Sequence, residues 1–159
     1  MTITILSVGK IKEKYLLDAI AEYSKRLTKY CKLEMVSVAD EKTPQNASER
    51  DESIIKDTEG QRILSHIKDS DHVIALAIDG KQYDSVEFSQ LICEHELASV
   101  KRLVMIIGGS LGLSDEVLKR SDEKISFSRM TFPHQLMRVI LLEQIYRAYR
   151  IKNNEPYHK

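Results

Sequence analysis

The sequence predicts an α/β protein, a mostly parallel sheet with helices on both faces. Three observations carry that prediction. Two short runs, His72-Val-Ile-Ala-Leu-Ala-Ile78 and Arg102-Leu-Val-Met-Ile-Ile107, are nearly continuous apolar segments rich in branched side chains, the pattern of strands buried on both faces. Strand-like and helix-like segments alternate along the whole chain. No linker, repeat or low-complexity stretch interrupts them, so residues 1–159 are expected to form a single domain.

In order, Thr2 to Val8 is β-rich and is closed by Gly9. Lys12 to Tyr30 reads as a helix, with Leu16, Ile20, Tyr23, Leu27 and Tyr30 forming one apolar stripe. Leu33 to Ala39 is a second strand, followed by a polar, irregular loop from Asp40 to Ser48. Glu49 to Ile67 is a helix that an interior Gly60 should weaken. The strand from His72 to Ile78 stops at Asp79-Gly80. Asp84-Ser-Val-Glu87 has the capping-box spacing and starts a helix to about Ser99. After the strand from Arg102 to Ile107 come a short helix, Asp115 to Arg120, and a brief strand, Lys124 to Phe127. The last helix runs from Pro133 to about Ile151, with proline in its first turn.

Lysine plus arginine and aspartate plus glutamate balance at 24 each, which argues against indiscriminate nucleic-acid binding. The charge is unevenly placed: residues 124–159 hold seven basic and two acidic side chains. No apolar run approaches the ~20 residues needed to span a bilayer. Cys31 and Cys93 lack paired spacing and are expected to be reduced in a cytoplasmic protein. The five histidines show no ligand spacing, so no metal site is expected. There is no GxSxG elbow, and Ser110 has no identifiable base.

The strand ending at Ile107 empties into Gly108-Gly-Ser-Leu-Gly112, and Ser114-Asp-Glu then starts a helix. Two readings fit this loop equally: a ligand site at a strand end, where glycine lets the backbone approach closely, or a turn that needs positive φ. The spacing is neither GxGxxG nor GxxxxGK[ST]. In the last helix, Leu136, Met137, Val139, Ile140, Leu141, Leu142, Ile145, Tyr146, Ala148 and Tyr149 leave little polar circumference. Such a helix needs cover nearly all round, and a second subunit is the expected cover. Arg138 and Glu143 are charges set in that helix, and an ion pair or a catalytic role each accounts for them. The tail Tyr157-His158-Lys159 would by default be frayed.

The Ile-Gly-Gly-x-x-Gly-Leu loop, Pro133-His-x-Leu-x-Arg-Val, Glu143-x-x-Tyr-Arg-Ala and the terminal Pro-Tyr-His together resemble the RlmH family of ribosomal large-subunit methyltransferases in the SPOUT superfamily. The likeness covers the whole chain. It implies a SPOUT fold with a C-terminal trefoil knot, an exception to the rule that chains are unknotted. It also implies S-adenosylmethionine as donor, a homodimer, and methylation of N3 of a pseudouridine in 23S rRNA. By the resemblance the cofactor pocket involves Leu76, Gly108, Phe127, Ser128, Arg129, Met130, Thr131 and Phe132.

The imide N–H at N3 must lose its proton before it can attack, so a base or an anion-stabilising cation is required there. Glu143, Arg147 and His158 supply those residue types in the matching motifs, and Tyr157 suits a base stacked out of its helix. Two rival readings are a SPOUT-type methyltransferase acting on tRNA and a ribosome-binding assembly factor that uses the basic C-terminal face without a cofactor.

Overall fold

The computed structural model describes all 159 residues, Met1–Lys159. The elements are β1 (Thr2–Val8), α1 (Lys14–Leu27), β2 (Lys32–Val38), α2 (Glu49–Leu64), β3 (His72–Gln82), α3 (Ser85–Leu97), β4 (Arg102–Ile107), α4 (Asp115–Arg120), β5 (Glu123–Ser126) and α5 (His134–Lys152). The five strands form one sheet in the order β2-β1-β4-β3-β5. Every pairing is parallel, as the alternation of elements predicts. Successive side chains leave a strand on opposite faces, which gives the sheet two cores. Ile3, Ile5, Leu103, Met105 and Ile107 pack against α1, α3 and α5, whereas Leu6, Val8, Val104 and Ile106 pack against α2 and α4.

Helix starts follow local chemistry. Ser48 and Asp51 form a capping box on α2, Asp84 and Glu87 form one on α3, and the Ser114 hydroxyl accepts from Val117 N–H at α4. Pro133 does not lie inside the first turn of α5 as expected. It is the N-cap residue, with an extended ψ of 132°, and the helix begins at His134. Gly60 is less a weakness than a contact point: a Cβ there would overlap the Ser114 hydroxyl, so its absence lets α2 pack on the start of α4.

Two larger departures shape the site. β3 does not stop at Asp79-Gly80. Leu76 and Lys81 both pair with Ile125, so the four residues between them bulge out and the strand resumes to Gln82. Gly80 crosses directly over the Ile125 backbone, where a Cβ would lie 2.6 Å from its carbonyl carbon. The second departure concerns α5, which is largely covered within its own chain by α1 and α3. Leu141, Leu142 and Ile145 are wholly buried there, so the all-round apolar pattern does not by itself require a second subunit. What stays uncovered is a narrower strip, with Leu136 36 % exposed and Val139 and Ile140 half-buried.

Candidate active site

The carboxyl ends of β3, β4 and β5 open into a cavity of about 720 Å³. Its walls come from the β3 bulge, the 108–112 loop, the 126–133 segment and the first turn of α5. Leu76, Gly108, Phe127, Ser128, Met130, Thr131 and Phe132 all line it. Arg129 does not. It faces a smaller neighbouring depression with Gln82 and Tyr83, at a bend where the Ser128 hydroxyl accepts from Met130 N–H.

The two readings of the glycine loop merge. A Cβ on Gly108 would lie 2.9 Å from the Gly112 carbonyl carbon, so the loop folds tightly on itself. Gly112 adopts a left-handed φ of +86°. It also faces open space, with nothing within 4 Å of where a Cβ would be, and so presents bare backbone to the cavity. Apolar side chains crowd the mouth: Met130 is 73 % exposed and Ile78 58 %. Ile78 and Asp79, which the sequence reading placed at a strand end, enter the wall through the bulge. His134 and Met137 enter it from α5. Burial, with the positive charge of Arg138 beside it, pushes the His134 imidazole below its ordinary pKa against the pull of Asp40.

Arg138 forms no ion pair. Its Nη2 donates to the carbonyls of Val8 and Gly9, both at 2.7 Å, and pins the start of α5 to the end of β1. Glu143 does pair, with Arg147 one turn on (2.7 Å). Tyr157 Oη donates to Glu143 Oε1 (3.1 Å), Arg147 lies 4.6 Å over the Tyr157 ring, and Arg147 Nη1 reaches His158 Nδ1 at 3.3 Å. The four residues singled out for chemistry are therefore in mutual contact. Burial and the Glu143 carboxylate push the Tyr157 phenol up to about 12.

The tail is not frayed. Glu155 accepts from Lys29 and Tyr30 and pairs with Arg150, while Tyr157 packs edge-on to Tyr146. These partners depress the Glu155 carboxyl, the Tyr30 hydroxyl foremost. The cluster nevertheless stands away from the cavity of its own chain. At 1.5 Å per helical residue, Arg147 is roughly 15 Å along α5 from Met137 at the cavity wall.

One cluster had no counterpart in sequence spacing. His72, His95 and Glu123, scattered over three elements, bring their side-chain donor atoms within 4.8 Å of one another.

An open parallel sheet with an apolar cavity at its strand ends and a backbone loop beneath it is the architecture of a nucleotide- or nucleoside-binding α/β enzyme. A family profile described as "Predicted SPOUT methyltransferase" matches residues 1–158, and the chain belongs to that family. Proteins named "Ribosomal RNA large subunit methyltransferase H" are similar along the full length of both chains. Those of Clostridium novyi (strain NT) and Clostridium botulinum (strain Kyoto / Type A2) are 62% identical over 159 residues, and that of Clostridium perfringens (strain 13 / Type A) is 59% identical. A solved structure, that of a probable methylase family protein from Haemophilus influenzae Rd KW20, shares the fold at 13% identity with a TM-score of 0.51. It covers 99% of this chain and 70% of that one.

Proposed function

We propose that the protein uses S-adenosylmethionine to methylate N3 of a pseudouridine in 23S rRNA of the large ribosomal subunit, acting in the cytoplasm as a homodimer whose C-terminal segment carries the trefoil knot of its superfamily. The observation that carries this reading is the strand-end cavity. Bare backbone at Gly112 and apolar walls at Leu76, Met130 and Phe132 suit a nucleoside bearing an aliphatic sulfur-containing chain, whose base offers hydrogen-bonding edges and which has no phosphates to neutralise. S-adenosylmethionine would supply a methyl group on a sulfonium, and in-line displacement from it needs alignment more than covalent help.

The residues of the tail cluster would handle the other reactant. N3 would release its proton to solvent water and Arg147 would stabilise the imide anion left behind, with Glu143 fixing its guanidinium through the bond at 2.7 Å. Because Arg147 donates to Nδ1 of His158, the neutral imidazole carries its proton on Nε2 and would donate to a pyrimidine carbonyl. Tyr157 would stack on the extruded base. With Glu143 and Arg147 roughly 9 and 15 Å along α5 from Met137 at their own cavity, the cluster of one subunit would serve the cavity of the other. The uncovered strip of Leu136, Val139 and Ile140, continuous in the chain with exposed Met130 and Phe132, is the surface offered for that contact.

Calorimetry with S-adenosylmethionine, followed by transfer of labelled methyl to ribosomes, tests the reading. Binding together with label mapped by mass spectrometry to a pseudouridine of 23S rRNA supports it. Label in tRNA instead selects the tRNA enzyme, and ribosome binding without cofactor binding selects an assembly factor. Ile140→Glu tests the interface and should yield a folded monomer by sedimentation. Leu141 is wholly buried in its own chain, so its substitution would report on folding instead.

A further inference from the structure

The cluster of His72, His95 and Glu123 lies at the opposite end of the sheet from the cavity. His72 opens β3, Glu123 opens β5 beside it, and His95 comes from the last turn of α3. Glu123 Oε1 lies 2.7 Å from His72 Nε2 and 2.9 Å from His95 Nε2, and the two rings stand 4.2 Å apart. Hydrogen bonding alone serves this arrangement poorly. One carboxylate oxygen faces two ring nitrogens, and His95 Nε2 is buried with no hydrogen bond of acceptable direction despite its closeness to Glu123. An orphaned buried nitrogen is costly and calls for a partner.

We propose that His72 Nε2, His95 Nε2 and Glu123 bind one divalent transition-metal ion of the Zn²⁺ class. Two imidazoles and a carboxylate are a donor set that such ions prefer over Mg²⁺ or Ca²⁺. Ligand atoms around a tetrahedral ion at 2.0–2.2 Å lie roughly 3.3 Å from one another. Opening the 2.7 and 2.9 Å nitrogen–oxygen separations by roughly half an ångström would bring them to that spacing, and all three donors already lie within 4.8 Å of one another. Asp122 Oδ2 sits 4.0 Å from His72 Nδ1, on the side where an outer carboxylate orients a ligating imidazole. His95 is buried, but the His72 and Glu123 side chains are about a quarter exposed, which leaves a fourth position for water. The ion would cross-link β3, β5 and α3. It would stand roughly 13 Å along β3 from Leu76, since four strand residues span that length, and so would act on stability.

The test uses tag-free, full-length protein treated with chelator and desalted, in a Cys31→Ser/Cys93→Ser background that removes the thiols as competing ligands. Zn²⁺ is titrated by calorimetry, and Co²⁺ serves as the optical probe of coordination. One ion per chain is expected, with a melting temperature that rises with free Zn²⁺. His72→Asn, at the more exposed ligand, should weaken Zn²⁺ about 100-fold or more and abolish the Co²⁺ spectrum while far-ultraviolet circular dichroism is retained. Glu123→Gln should give the same direction with a smaller loss. Should His95→Asn fail to fold, His72→Asn carries the test alone. Absence of saturable binding to the folded parent overturns the proposal, as does undiminished binding by His72→Asn.

Discussion

At the carboxyl end of the sheet, the cavity is walled by Leu76, Ile78, Met130 and Phe132 with bare backbone between them. Along α5 and the tail folded back on it, by contrast, Glu143, Arg147, Tyr157 and His158 are joined side chain to side chain. The first region owes its shape to where glycine permits the chain to go. The second owes its shape to pairing of charges. A methyltransferase has to hold a donor and activate an acceptor, and on the proposed function the cavity would do the first and the charged cluster the second, in different places. Each region can accordingly be damaged without touching the other.

The largest effect should come from removing residues 157–159. Methyl transfer to ribosomes should fall about 100-fold or more, the scale of losing one aimed hydrogen-bond donor together with the stacking ring, with S-adenosylmethionine affinity unchanged by calorimetry. Next is Gly108→Val, whose branched side chain collides with Gly112 and forces the loop to rebuild. Cofactor affinity should drop about 100-fold, near 3 kcal/mol, while circular dichroism stays native because the collision is with the loop and with Leu113 at the margin of one core. Heterodimers of these two variants sharpen the comparison most. Activity regained at one composite site shows that the tail serves its partner, and heterodimers as inactive as both parents show that it serves its own chain.

A smaller effect is expected where the two regions share a support. Arg138→Met leaves the buried Val8 and Gly9 carbonyls without a donor and should cost about 3 kcal/mol in urea unfolding. The smallest effect separates the regions by their electrostatics. The Glu155 carboxyl is lower in the docked tail than in a free chain, from an ordinary value of 4.5. Docking is therefore fully favoured above the ordinary carboxylate range and weakens as pH falls through the depressed value. On acidification the Tyr157 ring resonances should move toward free-chain positions before the Leu76 methyl resonances shift.

Element order and the parallel sheet were readable because each strand and helix is specified by its own residues: apolar runs at β3 and β4, a capping spacing at α3. What escaped depends on residues distant in the chain. The continuation of β3 past Asp79-Gly80 is set by Ile125, which pairs with the strand twice. The cover on α5 comes from α1 and α3, and periodicity reports only that cover is needed. Gly60 looks like a helix defect until Ser114 is seen against it. Of the expected cavity residues, Arg129 alone points elsewhere, since a motif match names neighbours without saying which way each faces. The His72, His95 and Glu123 cluster has no spacing to detect, because three separate elements deliver it.

The hold of Arg138 on Val8 and Gly9 joins residues 130 and 129 positions apart. Between those two moments of synthesis, β4 must also find its place between β1 and β3. A nascent chain on the ribosome can make helices and the β1–β2 pair early, but its sheet has an open seam until β4 emerges and no lid on one core until α5 does. Loop closure on that scale makes such folding slow and leaves strand edges bare for its duration. For this protein, chaperone dependence and aggregation during translation should track the delay before α5 leaves the exit tunnel, more than the stability of the finished fold.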